Sequence, residues 1–251
     1  DKMKNLIGGK FVDASNGEKA DVINPATNEL IDTVPLATEE DVDLCVKEAA
    51  KAQKAWAKMP MYERGEILYK FADLVEERHE ELAQLLSKET GKPIKEARAE
   101  IGNTKHFIHG YVEKAKHDYG NVIPAGSEVG QEKTMHITVQ QPLGVVACII
   151  PFNFPCDLFG QKVPSALIMG NSVIVKPATD NPLTLHRYCE LLVEAGIPAG
   201  VINCISGRGS VTGNALAKHP QVALISVTGS TEVGAEVMAN AASNITHVML
   251  E

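Results

Sequence analysis

Polar residues that could do chemistry follow apolar runs in the second half of this chain. The sequence reads IPFNFP at residues 150–155, where Asn153 stands between two aromatic residues on a proline-stiffened turn. A side-chain amide held in this way could donate a hydrogen bond to an oxyanion that develops during a reaction. The alternative is that Asn153 only caps the helix that follows. Lys176, which follows the apolar run 173–175, could reach a ribose hydroxyl or a phosphate, or could simply extend its ammonium group to solvent.

Two glycine-containing turns add possible ligand contacts. Residues 206–209 read SGRG after an apolar run, and such a turn lets the backbone approach a ligand closely. Residues 227–234 read VTGSTEVG, which places a glycine, a serine cap and free amides at the start of a helix. These amides suit a pyrophosphate, although the same pattern also fits a capped surface helix. No GxGxxG segment follows a predicted strand, so the common dinucleotide fingerprint is absent.

Glu251 and the cysteines are the remaining candidates for chemistry. Glu251 follows the apolar residues 248–250, and a carboxylate buried there would have a raised pKa, which suits a general base. The five cysteines include no CxxC pair and no cluster at metal-ligand spacing, so we predict no metal site and expect buried thiols. Cys156 lies near Asn153 and suggests a nucleophile, but its position in a helix start fits packing better.

Strands and helices alternate from residue 143 onward and would position these residues. The apolar runs are too continuous for a half-exposed sheet, so they predict an α/β fold with an open, parallel, Rossmann-like sheet and helices on both faces. Such a sheet binds ligands at the carboxyl ends of its strands, where each motif above lies. The predicted strands are 144–150, 172–175, 201–205, 222–227 and 246–251, and the predicted helices are 154–169, 182–195 (capped by Asn181), 211–218 and 231–242.

The first 142 residues follow other patterns. Residues 5–13 and 19–23 have the character of strands, and the Asn16-Gly17 pair between them predicts a hairpin. Thr38, with Asp41 three residues later, predicts a helix start. Amphipathic runs predict helices over 62–75, 77–87 and 94–114. Residues 121–142 predict a two-stranded ribbon, which would pack on another chain or domain because an isolated ribbon is marginally stable.

These patterns divide the chain into three parts, and the composition excludes several partners. We predict a hairpin-and-helix part at 1–120, the ribbon at 121–142 and the α/β core at 143–251. The net charge of −8 argues against a nucleic acid or an anionic membrane as partner. No run approaches the roughly 20 apolar residues of a membrane span, and the N-terminal residues lack signal-peptide features. We therefore expect a cytoplasmic location.

Taken together, the motifs closely resemble the aldehyde dehydrogenase superfamily. The resemblance rests on PFNFP at 151–155, KPA at 176–178, GRG at 207–209, TGSTxxG at 228–234 and a final LE that is similar to the start of the family's LELGG motif. NPAT at 24–27 and ETGKP at 89–93 also look like family signatures, so the resemblance extends over essentially the whole chain.

The resemblance implies a reaction, a cofactor and a role for each matched residue. In the family a cysteine thiolate attacks the aldehyde, a hydride passes to NAD or NADP, and water hydrolyses the resulting thioester. Asn153 would donate to the oxyanion, and Glu251 would activate the water. The ribbon would be the arm through which family members form homodimers or homotetramers. The cofactor would contact Ile149, Ile150, Pro151, Phe152, Asn153, Lys176, Ala178, Thr179, Gly209, Gly229, Ser230 and Val233.

Two departures from the family pattern have consequences. Thr179 stands where many members carry a glutamate that would repel the 2′-phosphate of NADP, so we expect NADP to be tolerated or preferred. The family's nucleophilic cysteine lies beyond LELGG, and none of the five cysteines here matches it. We therefore expect a truncated chain that lacks the catalytic domain and does not itself oxidise aldehydes.

The substrate prediction is a small hydroxy-aldehyde such as lactaldehyde or glycolaldehyde, because residues 206–209 and 244–246 look most like that subgroup. Three alternatives stay open. They are a CoA-acylating semialdehyde dehydrogenase, a non-phosphorylating glyceraldehyde-3-phosphate dehydrogenase, and a non-catalytic dinucleotide-binding fragment.

Overall fold

A computed structural model describes residues 2–251 as one seven-stranded sheet with helices around it and two short two-stranded sheets. The strands are β1 (Asn5–Ile7), β2 (Lys10–Val12), β3 (Lys19–Ile23), β4 (Leu30–Pro35), β5 (Val122–Ile123), β6 (His136–Ile137), β7 (Val145–Ile149), β8 (Ser172–Lys176), β9 (Ile202–Cys204), β10 (Val222–Val227) and β11 (His247–Leu250). The α-helices are α1 (Glu39–Lys58), α2 (Met61–Glu77), α3 (His79–Thr90), α4 (Ile94–Lys116), α5 (Pro155–Ile168), α6 (Leu183–Glu194), α7 (Asn214–Lys218) and α8 (Thr231–Ala241).

The large sheet has the strand order β11-β10-β7-β8-β9-β1-β2. The five strands from β7 to β11 run parallel, and β1 and β2 extend the sheet with antiparallel pairing. The chain moves outward from β7 through β8 to β9 and then returns to place β10 on the other side of β7. The order therefore reverses between β7 and β10, where open α/β sheets form their ligand crevice.

Successive residues of the central strands point to opposite faces, and both faces are buried. Val145 and Ala147 of β7 pack in a cluster with α1, α7 and α8. Val146 and Cys148 of the same strand pack in the larger cluster, which contains residues of α2, α3, α4, α5 and α6. This arrangement confirms the prediction of a Rossmann-like α/β sheet with helices on both faces.

Most predicted helices are found within two or three residues of their expected ends. The start of α1 carries the predicted capping box, in which the Thr38 side chain accepts from the Asp41 amide and the Asp41 carboxylate accepts from the Thr38 amide. Ser230 caps α8 by accepting from the Val233 amide at 3.3 Å. Local sequence was sufficient at these helix starts because the capping partners lie within three residues of each other.

The predicted hairpin around Asn16-Gly17 is wrong. The strand-like run 5–13 folds back on itself as β1 and β2 through Gly8 and Gly9, while β3 pairs with β4. Both glycines have positive φ, and a Cβ on Gly9 would lie 2.5 Å from the Ala199 Cβ. Glycine is therefore needed here for two reasons: the turn requires positive φ, and the backbone of the turn packs closely against the 198–200 loop.

Two other local predictions are also corrected. Asn181 does not cap α6, because its side-chain amide donates to the Phe152 carbonyl at 2.8 Å and the helix begins at Leu183 without a side-chain cap of its own. The helix predicted at 211–218 begins instead with a π-helical turn at 209–213, and α7 follows. For Asn181, a contact with the loop after β7 replaces the local pattern.

Residues 121–142 do form an antiparallel ribbon, although its paired part is short. Val122 pairs with Ile137, and Ile123 pairs with His136. The apolar side chains of the ribbon are exposed, including those of Val129 and Val139.

Candidate cofactor and active site

The loops that follow β7, β8, β10 and β11 lie side by side at the carboxyl edge of the sheet. The Ile150 amide donates to the Lys176 carbonyl at 3.0 Å, which joins the ends of β7 and β8. The Gly229 amide donates to the Glu251 carbonyl at 3.1 Å, which joins the segments after β10 and β11. Residues 150–153 and 228–230 therefore flank the point where the strand order reverses, and the sheet places four of the predicted motifs along one crevice.

Lys176 is the most unusual charged group at this edge. It is only 5% exposed, and burial lowers the pKa of its ammonium to about 8. Within residues 2–251 the only hydrogen bond of this ammonium is to the Pro177 carbonyl, at 3.3 Å. The alternative in which Lys176 extends to solvent is therefore excluded. A buried ammonium group with one weak acceptor can bind an additional hydroxyl or anionic oxygen.

In the neighbouring loops, part of the backbone is accessible to a ligand. The Thr179 hydroxyl donates to the Gly207 carbonyl at 3.2 Å, which ties the loop after β8 to the loop after β9. A Cβ on Gly209 would meet no atom within 4 Å. Gly229 and Ser230 are exposed beside the N-terminus of α8, and Val233 on that helix is 44% exposed. This set offers an ammonium group, helix amides and exposed backbone, which are the groups that bind a phosphorylated ligand.

The turn that carries Asn153 is held through its backbone, and its side chain is exposed. The Asn153 carbonyl accepts from the Lys92 ammonium at 3.0 Å. Helix α5 takes Phe154 as its N-cap residue and has no side-chain cap, so the alternative in which Asn153 merely caps the helix is excluded. No hydrogen bond occupies the Asn153 amide among residues 2–251. An unoccupied amide on a rigid turn can donate to a substrate oxygen.

Glu251 lies at the same edge, and its side chain is exposed among the described residues. Strand β11 is the edge strand of the sheet and pairs only with β10, so the carboxylate that follows it is exposed. The Thr228 hydroxyl donates to Glu251 Oε2 at 3.1 Å, and the backbone amide of Glu251 donates to the Val227 carbonyl at 3.0 Å. These contacts hold the carboxylate beside the loop after β10.

A cleft of about 360 Å³ next to Glu251 contains a residue that the sequence analysis missed. Lys162 of α5 lines this cleft together with Glu251, and its ammonium donates to the Ser226 hydroxyl at 3.0 Å. Lys162 is the only basic residue of α5, which is otherwise largely apolar. A lone lysine in such a helix was the available signal, because a charge on a packed face needs a polar partner.

Three more charged residues behind the Asn153 turn were missed: Glu89, Lys92 and Glu100. Glu89 and Glu100 are 3% exposed, and the Lys92 side chain is 11% exposed. Burial raises the pKa of Glu89 to about 7 and also raises the pKa of Glu100. Glu89 and Lys92 belong to the ETGKP segment that carried part of the family resemblance, but nothing local in the sequence indicated what they contact.

The cysteines provide no nucleophile in the described part of the chain. All five are buried. Burial raises the pKa of the Cys156 thiol well above its usual value, and the negative charge of Glu100 raises it further. A thiol in this environment stays protonated and inaccessible, so Cys156 is a packing residue. Within residues 2–251 no group of three or more His, Cys, Asp or Glu side chains could hold a metal ion.

None of the helices described here has both the length and the apolar character needed to span a membrane.

The fold and the crevice define a Rossmann-like α/β protein with an open crevice at the carboxyl edge of its sheet, and comparison with known proteins gives the family. Residues 11–251 match the model of the aldehyde dehydrogenase family, and the chain belongs to this family. It is 37% identical over 250 residues to succinate-semialdehyde dehydrogenase [NADP(+)] GabD of Escherichia coli (strain K12), with 100% of this chain and 51% of the relative covered. It is 38% identical over 249 residues to D-glyceraldehyde dehydrogenase (NADP(+)) of Picrophilus torridus, with 99% and 50% covered.

Solved structures agree with this assignment. The fold matches 3,6-anhydro-L-galactose dehydrogenase in complex with NAP at a TM-score of 0.95 and 36% identity, covering 100% of this chain and 52% of the other. It matches betaine aldehyde dehydrogenase from Staphylococcus aureus in complex with NAD+ at a TM-score of 0.94 and 34% identity, covering 100% and 50%. The chain thus spans about half the length of the relatives that it matches.

Proposed function

We propose that this chain provides the cofactor-binding half of an NAD(P)-dependent aldehyde dehydrogenase that oxidises an aldehyde to a carboxylic acid through a thioester. The observation that carries the proposal is the crevice between β7 and β10, because the Asn153 turn and the start of α8 meet there. The relatives named above support the reaction class, since each one is named as a dehydrogenase of an aldehyde or a sugar derivative.

The residues at the crevice fit a dinucleotide. The buried Lys176 ammonium lacks a strong acceptor, and a ribose hydroxyl or phosphate oxygen would supply one. Ser230 accepts from the Val233 amide, and the other amides at the start of α8 suit the pyrophosphate. The open space at Gly209 lets the adenosine approach the backbone. Residues 149–153, Ala178, Thr179 and Val233 would complete the contacts. The bound nicotinamide would supply the hydride acceptor.

The chain's own residues would then serve two steps. The free Asn153 amide would donate to the oxygen of the aldehyde as negative charge develops on it, which lowers the barrier for attack by a thiolate. Glu251 would accept a proton from the water that hydrolyses the thioester. The thiolate itself is not provided by any of the five buried cysteines. Activity is therefore tested on a polypeptide of the relatives' full length that contains these residues.

We further propose that NADP is accepted at least as well as NAD. Thr179 provides a neutral hydroxyl where a carboxylate would repel a 2′-phosphate, and both curated relatives named above carry NADP(+) in their names. The test is calorimetric binding of both cofactors to wild-type protein, Thr179→Glu and the uncharged control Thr179→Gln. We expect only the glutamate variant to lose more than tenfold in NADP affinity. A tenfold or greater preference of the wild type for NAD in kcat/KM would contradict the proposal.

For the substrate we propose a short, uncharged hydroxy-aldehyde. Two carboxyl groups, Glu100 and Asp157, lie beside the Asn153 turn, and Lys92, which contacts that turn, is already paired with Glu100. Among the described residues Asp157 accepts only from Asn103, so it keeps lone pairs that can bind a hydroxyl. This charge balance opposes the carboxylate of a semialdehyde such as succinate semialdehyde.

A panel of lactaldehyde, glycolaldehyde, D-glyceraldehyde, glyceraldehyde 3-phosphate and succinate semialdehyde, with and without CoA, tests the substrate proposal. We expect the uncharged hydroxy-aldehydes to give the highest kcat/KM without CoA. A higher kcat/KM with succinate semialdehyde would instead favour the activity in the name of the Escherichia coli relative. A strict CoA requirement would favour a CoA-acylating enzyme, and cofactor binding without turnover of any aldehyde would favour a non-catalytic role.

We also propose that the ribbon at 121–142 is an arm for homodimers or homotetramers. Its exposed apolar side chains, such as Val122 and Ile137, would pack on a second copy. Light scattering of the full-length protein with Ile137→Lys, compared with wild type, should show loss of the oligomer. A monomeric wild type would contradict this proposal.

The location that we propose is the cytoplasm, because five unpaired buried thiols are suited to a reducing compartment. Cell fractionation with an antibody to the protein tests this.

A further inference from the structure

The ETGKP segment at 89–93 joins α3 to α4 and lies behind the proposed active site. Two of its residues, Glu89 and Lys92, carry charge into the protein interior, where an unpaired charge is costly. Neither residue takes part in the reaction proposed above. Their contacts are therefore the evidence for what the segment does.

Lys92 contacts the Asn153 turn in two ways. Its ammonium donates to the Asn153 carbonyl at 3.0 Å and lies 4.4 Å from the centre of the Phe154 ring. The same ammonium group forms an ion pair with Glu100. One buried cation thus fixes both the backbone of Asn153 and the side chain that follows it in the chain.

Glu100 holds the other side of the turn. While one carboxylate oxygen pairs with Lys92, the other accepts from the Cys156 amide at 2.8 Å. Cys156 lies in the first turn of α5, where amides have no partner within the helix. Because α5 has no side-chain cap of its own, Glu100 supplies this acceptor from α4. Lys92 and Glu100 therefore hold residues 153–156 by hydrogen bonds at both ends, to the Asn153 carbonyl and to the Cys156 amide.

Glu89 accepts from the first amides of the neighbouring helix α6 in the way that Glu100 accepts from α5. Its carboxylate accepts from the amides of Leu183 and Thr184 at 2.7 and 2.8 Å, at the start of α6. This helix follows the loop after β8, the strand that ends at Lys176, and Asn181 in that loop donates to the Phe152 carbonyl. The segment thus holds the Asn153 turn and, through α6, the adjoining cofactor loop in one fixed arrangement.

We propose that Lys92 is a positioning residue for catalysis, which with Glu100 orients the Asn153 amide toward the substrate oxygen. The Asn153 side chain is exposed and makes no hydrogen bond of its own among the described residues, so its direction follows from the backbone that Lys92 fixes. The inference rests on the proposed role of Asn153 as oxyanion donor.

The kinetic test is a double-mutant cycle in a polypeptide of the relatives' full length. Lys92→Met is compared with wild type, and the same change is made in an Asn153→Ala background. Each kcat is calculated from the concentration of active sites, determined by titration. Removal of an oxyanion donor costs about 10²–10³ in kcat, so a misdirected donor should cost up to that amount. We expect Lys92→Met to lower kcat by about 10- to 100-fold in the wild type and by less than about threefold in Asn153→Ala.

Two further variants separate positioning from folding. Lys92→Met leaves Glu100 buried without its partner, so Lys92→Met/Glu100→Gln provides a neutral version in which the glutamine carbonyl can still accept from Cys156. Lys88→Met is the matched control, because Lys88 is an exposed lysine in the last turn of α3, four residues before Lys92. We expect the neutral double variant to lose kcat as Lys92→Met does and Lys88→Met to keep the wild-type value. Equal losses in the wild-type and Asn153→Ala backgrounds would overturn the proposal.

Amide hydrogen exchange on the 251-residue chain tests the same contacts without catalysis. We expect faster exchange across residues 153–156 in Lys92→Met and in the neutral double variant, but not in Lys88→Met. Unchanged protection in both variants would overturn the positioning role whether or not the wild type turns over an aldehyde. If the variants show these exchange effects but the full-length wild type oxidises no aldehyde, only the proposed function is refuted.

Discussion

Glu89 allows a quantitative prediction of how stability depends on pH. Its carboxyl is surrounded by the start of α6 and by Glu100, and three donors from Leu183 and Thr184 favour the charged form. Burial opposes them and is the larger effect, so that the pKa rises from 4.5 to about 7. The folded state therefore binds the proton more tightly than the unfolded state, and between these two pH values stability falls as pH rises.

The size of the effect follows from the two pKa values. At about 1.36 kcal/mol per pKa unit, the full shift corresponds to roughly 3 kcal/mol, most of which is lost between pH 5 and pH 8. Glu89→Gln removes the titrating group. The difference in unfolding free energy, wild type minus Glu89→Gln, should therefore decrease by roughly 2 to 3 kcal/mol over this range.

The assay is urea unfolding of the chain at several pH values, followed by the fluorescence of its single, buried tryptophan, Trp56. His186 titrates with the opposite sign, because burial lowers its pKa to about 4 and stability is lost as pH falls below about 6.5. That contribution is common to both proteins and cancels in the difference. Glu96→Gln, which removes an exposed carboxyl of α4, is the charge-matched control.

A flat difference between wild type and Glu89→Gln would refute this reasoning. A difference that rises with pH would show that the three hydrogen-bond donors outweigh burial and that the carboxylate is the stable form. An equal slope in the Glu96→Gln control would show that the dependence does not come from the buried site.

Three further predictions concern the site and the core. Gly209→Ala should keep its unfolding free energy within about 0.5 kcal/mol, because a Cβ there meets nothing within 4 Å, but should weaken cofactor binding measured by calorimetry. Gly207→Ala should lower the melting temperature, since its Cβ would lie 1.8 Å from Thr212 Oγ1 and overpacking costs about 1–3 kcal/mol; an unchanged temperature would contradict this contact. A thiol reagent should find no fast-reacting cysteine in the folded chain and five after denaturation, and fast labelling of the native chain would contradict the burial of the thiols.

The sequence alone was sufficient for the family and for most of the secondary structure. The resemblance rested on short motifs, and the family match over residues 11–251 confirms it. Helix starts such as those at Thr38 and Ser230 were predictable because cap and partner lie within one turn. The motifs also fall at strand ends, so an open parallel sheet was enough to predict that they share one edge.

Strand pairing and the partners of distant residues were decided only by the tertiary structure. The Asn16-Gly17 pair has the local signature of a hairpin, but β3 pairs with β4 and β1 folds back on β2. Pairing depends on which strand can also bury its apolar face, and that choice involves residues far away in the chain. The position of β11 beside β10 has the same origin, because nothing in the four residues of β11 shows which strand it pairs with.

The buried charges behind the Asn153 turn show this limit most clearly. The sequence gives no sign that Glu89 accepts from residue 184, that Lys92 donates to residue 153, or that Glu100 caps a helix 56 residues away. A carboxylate on an amphipathic helix is usually solvated, and its local sequence is the same when it is buried. What the sequence determined were the groups that could meet substrate and cofactor. The packing of α3, α4, α5 and α6 decided which charges hold those groups, because buried ions need partners that only the folded chain brings within hydrogen-bonding distance.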